Sequence, residues 1–249
     1  MRVVITGASS GIGEALARYY AKDASALGLI SRRAVDARAF SENAISYSVD
    51  VSDQPALDAA AQDFIRRYGP PDLVIANAGI GTGTEGADPR DVEKLRKTLE
   101  VNVIGLAASL AAFAPAMREA GRGTLAGIAS VAAFRGLAGN GAYCASKSAA
   151  VTWMESMRAE LRGSGVSVVC VCPGYIDTPM TRVNRYRMPF LMSADEAARR
   201  IARVIAKKRR LAIIPWQMAL ISVPLRLMPN WLYDRLAARA PRKPKNIPV

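Results

Sequence analysis

The stretch TGASSGIG, residues 6–13, decides how this chain is read. It follows a short apolar run, residues 2–5, and opens a helical pattern over residues 14–20. Gly7, Gly11 and Gly13 are spaced G-x-x-x-G-x-G. Glycines in such a turn let the backbone bend sharply and approach a pyrophosphate, which then rests on the helix N-terminus. Between a first strand and a first helix, the loop reads as a dinucleotide cradle made by Gly7, Ser9, Ser10, Gly11, Ile12 and Gly13.

Working outward, the same alternation repeats along the chain. Apolar runs of strand length occur at RVVIT, SALGLIS, AISYSVD, PDLVIA, GTLAGIAS, VSVVCVC and LAII. Helical patterns separate them. DQPALDAAAQDFIRRYG has Asp53 as its expected N-cap and Gly69 as its stop, and Ser193 stands at capping-box spacing from Glu196. A long helix is expected from Asp88, where proline follows the cap. Strands that are apolar throughout, each followed by a helix, imply a parallel sheet covered on both faces. The expected fold is therefore α/β, a doubly wound Rossmann sheet of about seven strands. Residues 1–249 read as one domain, with 216–249 as a helical extension of it. Residues 175–192 read as a long irregular connection.

Composition limits the chemistry. The chain has 249 residues, half of them hydrophobic, and no histidine. Histidine-based triads and most zinc sites are thereby excluded, and no metal is expected. Cys144, Cys170 and Cys172 do not form a disulfide framework. Cys170 and Cys172 alternate with valines and read as small core residues on one face of a strand. The opening apolar run is too short for a signal-peptide core, and no segment reads as a spanning helix, so a cytoplasmic location is expected. The net charge of +13 is concentrated in the last fifth of the chain. Residues 199–249 hold 13 Lys/Arg and one acid, Asp234.

The carboxyl ends of the next strands extend the cradle. An acid at the end of the second strand would bind a ribose 2′-hydroxyl. Here Ser31, Arg32 and Arg33 stand instead. Guanidinium matches a 2′-phosphate bidentately, so NADP(H) is the expected cofactor, with NAD(H) as the alternative and Arg32 as the expected direct contact. Asp50 and Val51 end the third strand, where Asp50 suits the adenine amine. Asn77, Ala78 and Gly79 end the fourth.

The chemical end lies later. Tyr143 and Lys147 are four apart on a predicted helix, hence adjacent on one face. An ammonium nearby favours a phenolate, so Lys147 is expected to lower the tyrosine pKa and let it exchange a proton with a substrate oxygen. Ser130, at the end of the fifth strand, can polarise a carbonyl at the same edge. Asn102 sits mid-helix, where asparagine is not favoured by propensity, which suggests a non-local role.

With TGASSGIG, NAG, VNVIG, the Ser-Tyr-Lys set and PGYIDTPM in this order, residues 2–215 resemble the short-chain dehydrogenases/reductases. The resemblance implies that Tyr143 donates the proton in carbonyl reduction while Ser130 stabilises the substrate oxygen. It implies that Lys147 binds the nicotinamide ribose, and that Asn102 holds a water in a proton relay. Pro173, Gly174, Ile176 and Thr178 would contact the nicotinamide end. Two departures stand out. Ala76 occupies a place where many relatives carry asparagine. The chain also continues past LAIIPW, where many relatives end in a glycine-rich segment that packs into a tetramer.

The expected activity is an NADPH-dependent interconversion of a carbonyl and a secondary alcohol on a small-molecule, hydrophobic or lipid-like substrate. Two alternatives compete with it. One is reduction of 3-oxoacyl chains on an acidic carrier protein docked by the basic tail. The other is a non-catalytic NADP-binding module. A homo-oligomer, dimer or tetramer, is expected, and no nucleic-acid partner. Trp216, Trp231, Tyr233 and the tail cations also suit a peripheral position at a membrane surface.

Overall fold

The computed structural model describes residues 1–184, 186–238 and 242–245. Its strands are β1 (Arg2–Thr6), β2 (Ala26–Ser31), β3 (Ala44–Ser48), β4 (Leu73–Ala76), β5 (Gly123–Ile128), β6 (Val166–Pro173), β7 (Ile176–Asp177), β8 (Met192–Ser193) and β9 (Leu211–Ile214). Its helices are α1 (Gly11–Tyr20), α2 (Gln54–Tyr68), α3 (Val92–Leu99), α4 (Gly105–Ala111), α5 (Ala114–Glu119), α6 (Gly141–Glu160), α7 (Pro179–Arg182), α8 (Ala194–Ala206), α9 (Trp216–Leu227) and α10 (Asn230–Ala237). Seven strands form one sheet in the order β3-β2-β1-β4-β5-β6-β9, and every pairing is parallel. The seven apolar runs read from the sequence are these seven strands.

Strand alternation divides the core into two layers. Val3, Ile5, Leu27, Leu29, Leu73, Ile75, Val169 and Val171 face α1 and α8, where Leu16 and Ile201 meet them. Val4, Ile30, Val74, Leu125, Val168, Cys170 and Cys172 face the other way, toward Phe64 of α2, Leu110 of α4 and Met154 of α6. All three cysteines are free and buried. Each fully buried large aliphatic side chain stabilises the fold by about 1.5–3 kcal/mol. Gly28 leaves room for the Phe64 ring, since a Cβ there would lie 3.0 Å from it.

The caps follow the sequence reading. Asp53 accepts from the Ala56 amide at 3.1 Å, and Ser193 from the Glu196 amide at 3.2 Å. Asp88 caps as well, but it starts a tight turn (Pro89–Asp91) that leads into α3. From that turn the chain stays helical to Glu119, with a one-turn π segment (Glu100–Ile104) between α3 and α4. Pro89–Glu119 is long and apolar enough, by length and composition, to cross a membrane, which corrects the reading that no segment is. Its apolar face is spent on the domain: Leu106, Leu110, Phe113 and Met117 are buried in the second core layer. The connection over 175–192 is also less irregular than expected, since it contains β7, α7 and β8, with β7 and β8 paired in parallel. The expected extension over 216–249 contains α9 and α10. Positions 239–241 and 246–249 of it lie outside the described residues.

This topology positions the site. Strand order reverses between β1 and β4, which opens a crevice beyond their carboxyl ends. The ends of β1, β2, β4, β5 and β6 all lie on that edge, as the parallel register requires.

Candidate active site

The loop after β1 crosses the crevice. Gly7 and Gly11 adopt φ of +68° and +59°, which side chains rarely tolerate. A Cβ on Gly7 would lie 2.7 Å from the Ala78 Cα, and one on Gly13 would overlap the Gly7 carbonyl. Asn77 fastens this loop to the end of β4. Its side-chain amide donates to the Thr6 and Gly7 carbonyls at 3.1 and 3.3 Å, and its backbone amide donates to Thr6 Oγ1 at 3.1 Å. The result is an open backbone cradle at the start of α1, the shape that a pyrophosphate needs.

The cleft above it measures about 630 Å³. Gly7, Ser9, Ser10, Gly11 and Ile12 form its floor. Ser31, Arg32, Arg33, Asp50 and Val51 wall one end, and Asn77, Ala78 and Gly79 the middle. Ser130, Tyr143, Lys147, Pro173, Gly174, Ile176 and Thr178 wall the other end. Two residues of the expected set do not line it. Gly13 lies beneath the loop, and Asn102 is fully buried.

The two arginines differ. Arg33 folds back over the glycine loop and donates to Ser9 Oγ at 3.1 Å and Ser10 Oγ at 3.0 Å. Arg32 instead lies 3.8 Å from the Asp50 carboxylate. Asp50 also accepts from the Ser52 amide and hydroxyl at 3.0 and 2.8 Å. Both arginines line the cleft, and Arg33 is the one that lies on the glycine loop.

At the far end, the Lys147 ammonium donates to the Ile128 carbonyl at 2.9 Å and lies 5.7 Å from the Tyr143 ring centre. Burial lowers the Lys147 pKa to about 8. Burial also pushes the Tyr143 phenol up to about 12, with hydrogen bonding from Ser130 opposing the rise. Desolvation, which favours the neutral phenol, and not the expected lowering by the lysine, sets the direction of the Tyr143 shift. Ser130 is held by its own turn, accepting from the Ala132 amide at 3.1 Å.

Asn102 sits in the π segment, a helix irregularity common at functional sites. Its Oδ1 accepts from the Ile80 amide at 2.8 Å, and its Nδ2 donates to the Ile80 carbonyl and Ser146 Oγ, both at 2.9 Å. The Ser146 hydroxyl donates in turn to the Tyr143 carbonyl at 2.8 Å. Asn102 therefore ties the cleft-lining Ile80 to the helix that carries Tyr143 and Lys147.

Sequence reasoning missed Ile80, Ser146 and Met180. Ile80 and Met180 line the cleft, and Ser146 couples Asn102 to α6. Ile80 follows the NAG segment directly, which was the available signal. The tail also reaches the site. Arg135, in the loop after Ser130, stacks 4.2 Å from the Tyr233 ring and donates to Asn230 Oδ1 at 2.9 Å, while Tyr233 donates to the Gly136 carbonyl.

Comparison with known proteins agrees with this geometry. The family model for short chain dehydrogenase matches residues 1–188. The chain is 38% identical over 243 residues to an uncharacterized oxidoreductase of Myxococcus xanthus, covering 95% of this chain and 96% of that protein. It is 32% identical over 226 residues to the ketoacyl reductase HetN of a Nostoc species, covering 85% and 77%. The structure of levodione reductase matches with a TM-score of 0.78 over 88% of this chain and 98% of that one, at 24% identity, a likeness of fold.

Proposed function

The chain belongs to the short-chain dehydrogenase family of oxidoreductases, and from that premise we propose that it is an NADPH-dependent reductase of apolar ketones. The observation that carries the proposal is the convergence of Ser130, Tyr143 and Lys147 on one cleft whose floor is the glycine cradle. The cradle fits the dinucleotide pyrophosphate at the floor, Arg33 beside Ser9 and Ser10 fits the 2′-phosphate that distinguishes NADPH, and the dinucleotide supplies the hydride. The remaining work belongs to the protein. Ser130 donates to the substrate carbonyl oxygen and fixes its position. Tyr143 passes its phenolic proton to that oxygen as the carbon is reduced, and its raised pKa keeps the proton in place at neutral pH. Lys147 orients the nicotinamide ribose from its anchor on Ile128. Asn102 acts through Ile80 and Ser146, as a positioning residue.

An apolar substrate is supported by Ile80, Ile176 and Met180 in the cleft wall, and by Tyr175, next to the lining residues Gly174 and Ile176, whose ring pairs edge-on with Tyr186 at 6.3 Å. The test is Tyr143→Phe assayed by NADPH oxidation against a panel of apolar ketones. Turnover is expected to fall about 10²- to 10⁴-fold with NADPH binding retained. Turnover near the wild-type rate would overturn the assignment.

The tail supports a peripheral position at a membrane surface. Trp216, Leu220, Val223 and Leu227 recur on one face of α9 and are 50–76% exposed, with Trp231 at 71% beside them. An apolar helix face flanked by cations suits an anionic bilayer surface. A second reading, reduction of acyl chains on an acidic carrier, is favoured by the same cations and by the ketoacyl reductase relative. Cosedimentation with phosphatidylglycerol vesicles, set against capture by an immobilised acyl-carrier protein, separates the two. Vesicle binding that survives Leu220→Glu/Leu227→Glu would remove the membrane reading.

A further inference from the structure

Beyond α10 the described chain returns to the catalytic end of the cleft. Residues 242–245 run as a strap across the loop that follows Gly79. The Gly83 amide donates to the Pro244 carbonyl at 3.1 Å, and Thr82 Oγ1 and Lys94 Nζ donate to the Lys245 carbonyl at 3.3 and 3.5 Å. The Lys245 ammonium is clamped by Glu85, Asp88 and Asp91 at 2.8, 3.4 and 3.6 Å. Arg242 packs on Gly139, where a Cβ would lie 2.7 Å from its own. These anchors fix the residue between them. Lys243 projects its ammonium to 5.7 Å from the Tyr143 ring centre, beside Gly81. It is half-buried, and among the described residues it has no hydrogen-bond or ion-pair partner.

Lys245 and Lys243 are two residues apart, yet among the described residues only Lys245 has carboxylate partners. A partly desolvated ammonium with no counter-charge is costly unless something supplies one. The Tyr143 ring face offers only the weak attraction of a quadrupole. A substrate whose carbonyl lies against Tyr143 places its neighbouring substituents beside Lys243. We propose that Lys243 is a specificity-determining residue that binds a carboxylate carried by the substrate next to the reacting carbonyl. The preferred substrate is then an apolar oxo acid rather than a neutral ketone. This deepens the reading of Tyr143 as proton donor and rests on it.

The experiment compares benzoylformate with methyl benzoylformate, which differ at the carboxylate. Both are assayed with NADPH on the full chain, on Lys243→Ala and on Lys243→Arg. In Lys243→Ala the acid-to-ester ratio of kcat/KM is expected to fall roughly 10- to 100-fold, the usual worth of a hydrogen bond to a charged group. The loss should lie mainly in KM, and Lys243→Arg should restore most of the ratio. An equal loss on both substrates would make Lys243 a tuner of Tyr143 and overturn the proposal, as would no loss or a gain. If the wild-type chain reduces neither compound, the proton-donor reading is decided separately by the Tyr143→Phe ketone panel. Calorimetric titration of benzoylformate with NADPH present then decides the Lys243 proposal. Carboxylate binding weakened in Lys243→Ala upholds it, and equal or absent binding overturns it.

Discussion

Replacing Asn102 with alanine tests the way this fold assembles its site. The side chain makes three hydrogen bonds of 2.8–2.9 Å, two to the backbone of Ile80 and one to Ser146. Truncation leaves the Ile80 amide and carbonyl without their partners. A buried polar group left unsatisfied costs about 1–3 kcal/mol. Ile80 is only half-buried, so water recovers part of this at the cleft edge. Ser146 keeps its bond to the Tyr143 carbonyl and loses less. The expected destabilisation is about 2–4 kcal/mol, read as a lowered urea midpoint with an unchanged slope. Ser146→Ala, which removes the acceptor for Asn102 and the donor to the Tyr143 carbonyl, should cost about 1 kcal/mol, and the two substitutions should couple in a double-mutant cycle. Dinucleotide affinity, followed by fluorescence, should weaken with Asn102→Ala because Ile80 and Gly79 lose their backing. Stability within about 0.5 kcal/mol of wild type, together with unchanged affinity, would refute the clamp. Full stability and affinity with turnover lost would instead give Asn102 a direct part in proton transfer.

Arg33→Ala should raise the KM for NADPH about 10- to 100-fold and change that for NADH little, since a guanidinium–phosphate contact is charge-assisted. A larger effect from Arg32→Ala in the same steady-state assay would return the 2′-phosphate to Arg32. Asp72 gives a prediction on stability alone, because it lies at the amino end of the sheet, away from the cleft. Burial would raise its pKa, but hydrogen bonds from the Arg2 guanidinium and amide pull it from 3.8 to about 2. A depressed carboxyl stabilises the fold above its ordinary pKa and loses that contribution as pH falls through about 2. Asp72→Asn should therefore cost about 2 kcal/mol at pH 7, with the deficit shrinking below pH 4. Urea unfolding at pH 7 and pH 3 checks this, and a deficit independent of pH would sink it.

The cradle was legible because its requirement is local. A loop that needs φ of +68° and +59° writes glycine at those positions, and a strand-to-helix junction frames them. The inner strands were legible because both faces are covered, so their residues are buried almost throughout, whereas the edge strand β3 carries Ser46 and Ser48 and has no buried residue. What escaped was set by contacts between distant segments. Arg32 and Arg33 are equivalent as text, and only the path of the chain after β2 turns one toward Ser9 and the other toward Asp50. Asn102 read as a residue with a non-local role because an asparagine inside a helix is unusual, its place in a proton relay being implied by the resemblance alone, and its oddity was real. Its partner, a backbone 22 residues away, leaves no mark in composition. The pKa of Tyr143 was misjudged for a similar reason. Spacing shows that a lysine is near, but the depth of burial, which dominates here, is a property of the assembled site.

The basic tail is the strongest case of one compositional signal carrying several structural roles. Counted together, its cations suggest a surface for anions. In the fold they separate. Arg226 donates to the Phe134 carbonyl at 3.5 Å and helps hold α9 to the loop after Ser130. Lys245 is consumed by three carboxylates on the loop it straps. Lys243 is half-buried, has no ion-pair partner among the described residues, and stands over the Tyr143 ring. The exposed apolar stripe of α9 lies between these anchors, on a helix already fixed to the protein by its other face, where Met218 packs on Gly174. A helix so placed links the cleft to whatever its outer face touches. Gly174 follows β6 in the cleft wall, and a Cβ there would lie 2.7 Å from Met218 Cγ, so the proposed surface face of α9 and the cleft share the Met218 contact. Met218→Ala should weaken the dependence of turnover on anionic vesicles without weakening vesicle binding itself. Vesicle stimulation of turnover equal in Met218→Ala and wild type would show that the tail binds its surface independently of the site.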